Sequence, residues 1–255
     1  MKDLTGRTAL LTGASGGIGL KIAAALADAG ANVVVSGRRE AALAEAAASV
    51  TQRGRKAAVV PADLSDFEAI NPLVAAAEAA LGPIDILVNN AGIEIMAPFT
   101  KFTRDELTSL IDVNLTSPML LTSGCFPGWS NATPAASCSS LRLLGDSLRV
   151  EYADTPIGFS AVSPGYVGGD GMFQRIIDSG VKPSKIVGMT TTERVAAAVV
   201  RAIRRDLVEV LITGSPARPI VALGLIAPKT QERLLARLGM HRAFAEAARL
   251  RGRLG

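Results

Sequence analysis

A glycine-rich stretch, Thr12–Gly19, reads Thr-Gly-Ala-Ser-Gly-Gly-Ile-Gly and stands between a short apolar run and an alanine-rich helical pattern. Glycines in such a turn let the backbone bend sharply and approach a pyrophosphate, while the helix start supplies free N–H groups and the positive end of a dipole. The spacing is GxxxGxG, which differs from the general GxGxxG dinucleotide pattern. The stretch therefore predicts a phosphate-binding turn, and the alternative interpretation is a turn with a purely structural role.

Polar residues also follow two later apolar runs. Asp63 and Leu64 come after the third run, and the segment Asn89–Gly92, Asn-Asn-Ala-Gly, closes the fourth. In open α/β sheets, ligands bind at the carboxyl ends of parallel strands, so these groups and the glycine-rich turn are expected at one edge. The alternatives are a helix cap for Asp63 and turn formation for the asparagines.

The residues after the second apolar run bear on the choice of cofactor. Ser36 and Gly37 are followed by Arg38 and Arg39, and no acidic residue stands there to accept a hydrogen bond from a ribose 2′-hydroxyl. Two guanidinium groups instead offer donors suited to a 2′-phosphate. The alternative is a solvated helix start, although a cation at that position opposes the helix dipole.

The elements that must position these groups follow from the apolar runs. Between the first four runs lie helical patterns of crossover length at Ile18–Ala29, Arg39–Arg53 and Asp66–Leu81. This alternation predicts a doubly wound α/β fold with a parallel sheet, as a single domain over residues 1–255. The runs, which predict strands buried on both faces, are Thr8–Leu11, Asn32–Val35, Ala57–Val60, Ile84–Val88, Ile157–Val162 and Val208–Ile212.

The interval after the fourth run breaks this pattern. Helical patterns fit Asp105–Leu121 and Leu141–Tyr152, but no Val or Ile occurs between Asn114 and Arg149. The segment 115–140 is rich in Ser, Pro and Ala and contains both cysteines and the only tryptophan, Trp129. We therefore expect one central strand to be lacking or replaced, and the alternative is a long surface loop, which is uncommon in a compact domain.

With Asn114 and the Pro164-Gly165 pair, the TGxxxGIG and NNAG motifs resemble the short-chain dehydrogenase/reductase family over roughly Leu4 to Gly214. The resemblance implies a Rossmann fold and an oxidoreductase that transfers hydride between NADP(H) and a carbonyl or alcohol. It implies that Asn114 corresponds to the family's catalytic asparagine, which holds a water in a proton relay. The cofactor-binding residues that it implies are Thr12, Gly13, Ser15, Gly17, Ile18, Gly19, Arg38, Arg39, Asp63, Leu64, Asn89, Ala91, Gly92, Pro164 and Gly165.

The chain departs from the family where the proton donor should be. Members carry a Ser and then Tyr-x-x-x-Lys, but neither Tyr152 nor Tyr166 has a Lys four positions later. Counting back from the helix that ends near Tyr152 puts the expected Tyr around Pro134–Ala136 and the expected Lys around Cys138–Ser140. We expect impaired activity, and a deletion with a shifted reading frame is one hypothesis for the loss. The alternatives are a non-catalytic NADP(H)-binding or oligomer-forming relative, that is, a pseudoenzyme, or a defective gene product.

Composition and charge narrow the remaining possibilities. The net charge is +4, yet residues 229–253 alone hold seven basic and two acidic residues, within a basic helical tail at 216–255. Because aromatic residues do not alternate with these cations, nucleic-acid binding is not expected. His241 and the two cysteines lack metal-site spacing.

Without a signal sequence or membrane span, a cytoplasmic protein is expected, with the tail packed on the domain or resting on a lipid surface. Apolar residues of the expected substrate lid favour a lipophilic substrate: Met172, Phe173, Ile176 and Ile177.

Overall fold

A computed structural model describes residues 2–95, 99–126, 129, 137–138, 142–169, 188–213, 223 and 227–237. Its first four strands pair in parallel in the order β3-β2-β1-β4, with Leu10 of β1 between Val34 of β2 and Leu87 of β4. The predicted α/β fold is confirmed, and the predicted ends of these strands are correct to within two residues. The elements are β1 (Thr8–Leu11), α1 (Gly17–Asp28), β2 (Asn32–Gly37), α2 (Glu40–Thr51), β3 (Ala57–Pro61), a 3-10 turn (Phe67–Ala69), α3 (Ile70–Leu81) and β4 (Ile86–Val88).

The later elements form a second parallel ladder in the order β5-β6-β9, and β7 pairs with β8. The single helix predicted over Asp105–Leu121 is divided by a π-helical turn, and the strand predicted over Ile157–Val162 lies further along the chain. The elements are a 3-10 turn (Phe99–Lys101), α4 (Arg104–Ile111), the π turn (Asp112–Thr116), α5 (Ser117–Cys125), β5 (Ser137–Cys138), α6 (Arg142–Glu151), β6 (Ala161–Pro164), β7 (Tyr166–Val167), β8 (Met189–Thr190), α7 (Thr192–Arg205), β9 (Glu209–Ile212) and α8 (Pro228–Arg237).

The anomalous segment 115–140 contributes a strand after all. Residues of β5 pair with β6, Ser137 with Ala161 and Cys138 with Val162, although the interval between Asn114 and Arg149 contains no Val or Ile. The described residues of this strand are Ser137 and Cys138. Within the described part of the chain, no ladder joins β5 to β4. Over the described residues, the structure therefore gives two separate ladders, β3-β2-β1-β4 and β5-β6-β9.

Helices cover both faces of the first ladder. On one face Leu11 belongs to the apolar cluster that contains Ile22 of α1 and Val199 of α7, all of them buried. On the other face Leu10 belongs to the cluster that contains Leu73 of α3. Successive strand residues point to opposite faces, so a run of apolar residues such as β1 must be covered twice. The sheet edge formed by the carboxyl ends of the strands remains for polar groups.

Trp129 anchors the anomalous segment in the second of these clusters. The side chain is 1% exposed, and its Nε1 donates to the carbonyl of Ile84, 2.9 Å away, just before β4. Its ring packs against Phe126, which also packs against Tyr152, with centroid separations of 5.3 and 4.7 Å. The Ile84 carbonyl, just before β4, thus receives a hydrogen bond from an indole.

Of the basic tail at 216–255, the structure describes residues 223 and 227–237, where α8 forms. His241 and the later arginines lie outside the described residues. None of the helices in the described ranges combines the length and the apolar character that crossing a bilayer requires.

An ion pair between α1 and α7 predicts a pH-dependent part of the stability. Lys21 Nζ lies 3.1 Å from Glu193 Oε1, and hydrogen bonding to the backbone at the start of α7, followed by the Lys21 contact, lowers the pKa of Glu193 to about 2. A carboxyl whose pKa is lower in the folded chain than in the unfolded chain stabilises the fold at pH values above its unfolded pKa. That contribution is lost as the pH falls through the folded pKa. Glu193→Gln should therefore lower the urea midpoint at pH 6, and the difference from the parent should shrink towards pH 2.5. Glu45→Gln, on the exposed surface of α2, is the matched control, and a constant difference for Glu193→Gln would contradict the prediction.

Candidate functional site

The glycine-rich turn between β1 and α1 leaves no room for side chains. Gly13 has a φ of 64°, and a Cβ added there would lie 2.7 Å from Ala91 Cα. A Cβ added at Gly19 would collide with the Gly13 carbonyl and lie 2.7 Å from Ala14 Cα. Because the neighbouring atoms belong to the backbone, they cannot move aside as a flexible side chain could. The absence of side chains lets α1 start directly against β1 and lets the turn pack closely against the segment after β4.

Hydrogen bonds from the segment after β4 hold this turn in place. The buried Thr12 hydroxyl accepts from the backbone N–H groups of Asn90 and Ala91, each at 3.2 Å, and donates to the Val88 carbonyl at 3.3 Å. In return, the Asn90 side-chain amide donates to the carbonyls of Thr12 and Gly13, both at 3.1 Å. The two motifs that the sequence places far apart are therefore one rigid unit.

The end of β2 supports the other side of the turn. The Ala14 N–H donates to the Ser36 carbonyl at 3.0 Å, and a Cβ added at Gly37 would lie 3.1 Å from Ser15 Oγ. Helix α1 has Gly16 as its N-cap, with no side chain capping the first turn. Backbone N–H groups at a helix start that lack an internal partner suit a negatively charged group such as a phosphate.

Arg38 and Arg39 are both exposed next to this turn. The Arg39 guanidinium donates to the Ser15 carbonyl, and the Arg38 charge contributes to lowering the pKa of Asp63. Both cations therefore lie at the edge where the ends of β2 and β3 meet the glycine-rich turn. This arrangement places two guanidinium groups, which donate strong hydrogen bonds to anions, beside a phosphate-binding turn.

Asp63 is committed to its own turn after β3. Its Oδ1 accepts from the Ser65 N–H at 3.0 Å and from the Ser65 hydroxyl at 2.8 Å, and the bond from the N–H is the main reason that the pKa of Asp63 is lowered. The alternative role as a helix cap belongs instead to Asp66, which accepts from the Glu68 N–H at 3.1 Å. The adjacent Leu64 is buried, and its carbonyl accepts from the Ser117 hydroxyl, which ties α5 to the end of β3.

Asn114 lies in the π turn and forms two side-chain hydrogen bonds to the segment after β4. Its Nδ2 donates to the Ile93 carbonyl at 2.8 Å, and its Oδ1 accepts from the Ile93 N–H at 2.9 Å. A Cβ added at Gly92 would lie 3.1 Å from the same Oδ1. Asn114 thus orders the chain that follows Asn89–Gly92, as a positioning residue of this edge.

The Pro164-Gly165 pair lies at the end of β6, where the Gly165 N–H donates to the Ile212 carbonyl of β9 at 2.7 Å. This pair is therefore at the carboxyl edge of the second ladder. The candidate lid residues from Met172 to Ile177 fall outside the described part of the chain.

The two tyrosines provide no acidic phenol at this edge. Tyr152 follows α6 directly and packs against Phe126; its bond with Glu151 raises its pKa above the usual value near 10. Tyr166 is half-buried in β7, and desolvation, followed by the charge of Glu94, raises its pKa as well. Residues 134–136 and 139–140, where the family Tyr and Lys are expected, lie outside the described residues, and the sequence holds neither type there.

Comparison with known proteins identifies the family. The model of the family described as short chain dehydrogenase matches residues 7–135. The ketoacyl reductase HetN of Nostoc sp. is 34% identical over 92% of this chain and 90% of its own length. The chain belongs to the short-chain dehydrogenase family. It is an oxidoreductase of that family by sequence.

Other relatives and a solved structure agree with this assignment. The 3beta-hydroxysteroid dehydrogenase 1 of Eggerthella lenta is 34% identical over 64% of this chain and 71% of its own length. The crystal structure of a 3-oxoacyl (acyl-carrier-protein) reductase from Agrobacterium tumefaciens C58, with NADP bound, matches with a TM-score of 0.75. It is 25% identical and covers 83% of this chain and 95% of that one.

One residue of this short-chain dehydrogenase site is absent from the sequence-based set. Asn90 makes both side-chain bonds to the glycine-rich turn, whereas the family resemblance implies a cofactor role only for its neighbours Asn89, Ala91 and Gly92. The available signal was its position inside the Asn-Asn-Ala-Gly motif, where a side-chain amide can reach the backbone of a neighbouring strand end.

Proposed function

We propose that this chain binds NADP(H) at the carboxyl edge of β1 to β4 and that its hydride transfer between the cofactor and a carbonyl or alcohol is impaired. The observation that carries the binding proposal is the glycine-rich turn, whose close backbone packing at Gly13 and Gly19 excludes side chains and which leads into the uncapped first turn of α1. The first turn of α1 would hold the pyrophosphate, and Arg38 with Arg39 would hold the 2′-phosphate. When bound, the nicotinamide of the cofactor donates or accepts hydride.

The arginine pair leads to an expected cofactor preference. A hydrogen bond from a guanidinium to the 2′-phosphate contributes roughly 1.5–3 kcal/mol. This corresponds to about ten- to hundredfold tighter binding of NADPH than of NADH. Calorimetric titration with both cofactors measures the ratio, and the double variant Arg38→Ala, Arg39→Ala should reduce it towards one.

The matched control is Arg205→Ala. Arg205 is an exposed arginine at the end of α7, close in the chain to the start of β9 and thus at the opposite edge of the sheet. This variant should keep the preference for NADPH. Equal affinities for the two cofactors in the parent chain, or an unchanged ratio in the double arginine variant, would overturn the assignment to NADP(H).

The proposal of impaired activity rests on the proton donor. The sequence has no Tyr-x-x-x-Lys, and the family match ends at residue 135, inside the segment where that motif is expected. Asn114 is present, but it would serve a proton relay whose other members are missing. A lipophilic carbonyl substrate is in keeping with relatives named for ketoacyl and hydroxysteroid compounds.

A second candidate is a non-catalytic, oligomer-forming relative. It is favoured by exposed apolar side chains along the stretch from α4 to α5, where Ile111 is 55%, Leu115 41% and Met119 43% exposed. Apolar groups grouped on a surface commonly mark an interface with another chain. Light scattering after size exclusion tests it: a monomer at working concentration would remove the support that these residues give.

A further inference from the structure

Glu94 lies just beyond the segment that holds the glycine-rich turn. The backbone N–H groups of Asn90 and Ala91 donate to that turn. Ile93 is held through both of its backbone polar groups, since Asn114 Oδ1 accepts from its N–H at 2.9 Å and Asn114 Nδ2 donates to its carbonyl at 2.8 Å. Glu94 follows Ile93 directly in the chain. The Glu94 backbone therefore has a fixed position at the carboxyl end of β4.

The order of the strands places a ligand crevice at this position. The chain passes from β1 to β2 and β3 on one side and then returns to β4 on the other side of β1. In parallel α/β sheets, such a reversal leaves a crevice outside the carboxyl ends of the strands, and ligands bind there. The segment that leads to Glu94 follows β4 and thus borders the crevice between β1 and β4.

The charge of Glu94 also reaches the second ladder. Tyr166 opens β7, directly after the Pro164-Gly165 pair at the end of β6. Desolvation raises the pKa of its phenol, and the charge of Glu94 raises it further. Since water and salt largely screen charges that are more than about 10 Å apart, this effect means that Glu94 and Tyr166 lie near each other. The Glu94 carboxyl is thus close to the carboxyl ends of both ladders.

The surroundings of Glu94 leave its charge accessible and only partly hydrated. The residue is exposed, so a bound molecule can reach it. The neighbouring protein nevertheless removes part of its hydration, and this desolvation raises the pKa of the carboxyl. Even in bulk water, two like charges about 4 Å apart repel by an amount that corresponds to about fivefold in affinity, and partial desolvation strengthens the effect.

We propose that Glu94 is a specificity-determining residue of the substrate site, which disfavours carbonyl compounds that carry a carboxylate and favours neutral ones. Like-charge repulsion of this kind selects against the wrong ligand rather than adding affinity for the right one. The proposal rests on the proposed NADP(H) site at the same edge, because the reacting carbonyl must lie beside the nicotinamide. It is independent of how fast the chain transfers hydride.

Calorimetric titration at pH 8 and low salt tests the proposal, with the chain saturated with NADP⁺ so that the ketone probes are not reduced. The probes are 4-acetylbenzamide and 4-acetylbenzoate, which share the ketone and nearly the same shape but differ by one negative charge. We expect the amide to bind at least about fivefold more tightly. Added salt should reduce this ratio by screening. Equal affinities, no binding of the amide, or a ratio that salt leaves unchanged would overturn the proposal.

Two variants assign the effect to Glu94. Glu94→Gln removes the charge at nearly unchanged volume and should bring the ratio of the two affinities towards one. Glu45→Gln, on the exposed surface of α2, makes the same change away from the carboxyl edge and should keep the ratio of the parent chain. An unchanged ratio in folded Glu94→Gln would overturn the role of Glu94. If that variant does not fold, the salt dependence of the ratio in the parent chain decides the outcome.

The cofactor titration that precedes these measurements separates the two proposals. A parent chain that binds no NADP⁺ would overturn the proposed function, and the role of Glu94 with it. A chain that binds NADP⁺ but does not distinguish the amide from the carboxylate would overturn the role of Glu94 alone.

Discussion

Purified protein saturated with NADPH should reduce aldehydes and ketones about 10²- to 10⁴-fold more slowly than a chimera that carries the family's Ser and Tyr-x-x-x-Lys, because a positioned general acid contributes roughly that factor. In the chimera, the corresponding segment of such a family member replaces residues 115–140. The measurement is the initial rate of NADPH oxidation with a panel of carbonyl compounds.

The physical reason lies in the carbonyl oxygen. When hydride reaches the carbon, negative charge develops on that oxygen, and a nearby acid must protonate it. Tyr152 and Tyr166 are poor donors, because their surroundings raise the pKa of each phenol and neither has the Lys that would lower it. The Asn114 side chain is hydrogen-bonded to the Ile93 backbone. Without a proton donor, only the proximity of bound cofactor and substrate contributes, and we expect a residual rate from it.

The matched control for this comparison is the chimera with its introduced Tyr changed to Phe, which should fall back towards the rate of the native chain. Rapid turnover by the native chain would contradict the expectation. If Tyr152→Phe or Tyr166→Phe then abolished that turnover, the proton donor would have moved to that residue.

Trp129→Ala should lower the free energy of unfolding by about 3–5 kcal/mol, the usual cost of removing a buried large aromatic side chain. The ring is 1% exposed, contacts Phe126 and donates to the Ile84 carbonyl. Trp129→Phe keeps most of the packing and should lose less, since a single hydrogen bond contributes about 1 kcal/mol. Urea unfolding followed by circular dichroism measures all three proteins.

Phe99→Ala is the control for losing an aromatic ring, since Phe99 is 81% exposed and a surface change should alter stability by no more than about 0.5 kcal/mol. As the only tryptophan, Trp129 also reports directly, and its emission in the folded parent chain should be that of a buried indole. An unchanged midpoint for Trp129→Ala would mean that the anomalous segment contributes nothing to the fold. That result would favour a surface loop or a defective gene product.

The sequence predicts the first ladder well and the second poorly, for physical reasons. Strands β1, β2 and β4 are buried, so their apolar composition identifies them. The prediction that Ala57–Val60 is buried on both faces is wrong, because β3 lies at the end of the ladder and Val59 is 40% exposed, but its apolar residues still identify the strand. The described residues of strand β5 are a Ser and a Cys, and their pairing with β6 depends on residues more than twenty positions away. Composition cannot reveal such a pairing, nor that the indole of Trp129 would bond to a carbonyl next to β4.

The candidate site shows the same division. Residues of the glycine-rich turn and the Asn-Asn-Ala-Gly motif are recognisable because backbone geometry demands small residues there. The mutual bonds of Thr12 and Asn90 join positions nearly eighty residues apart, and Asn114 reaches Ile93 from a π turn that no local pattern indicated. Which residues hold the motif in place is thus a property of the tertiary structure.

A single titration tests the central claim of NADP(H) binding without efficient hydride transfer. NADPH is added to the purified chain in the presence of excess carbonyl substrate, while cofactor fluorescence reports binding and absorbance of the reduced nicotinamide reports turnover in the same cuvette. The account predicts a fluorescence change that saturates with one cofactor per chain while the absorbance persists. A fluorescence change that never saturates would contradict the binding site, and absorbance that falls as fast as with the chimera would contradict the impairment.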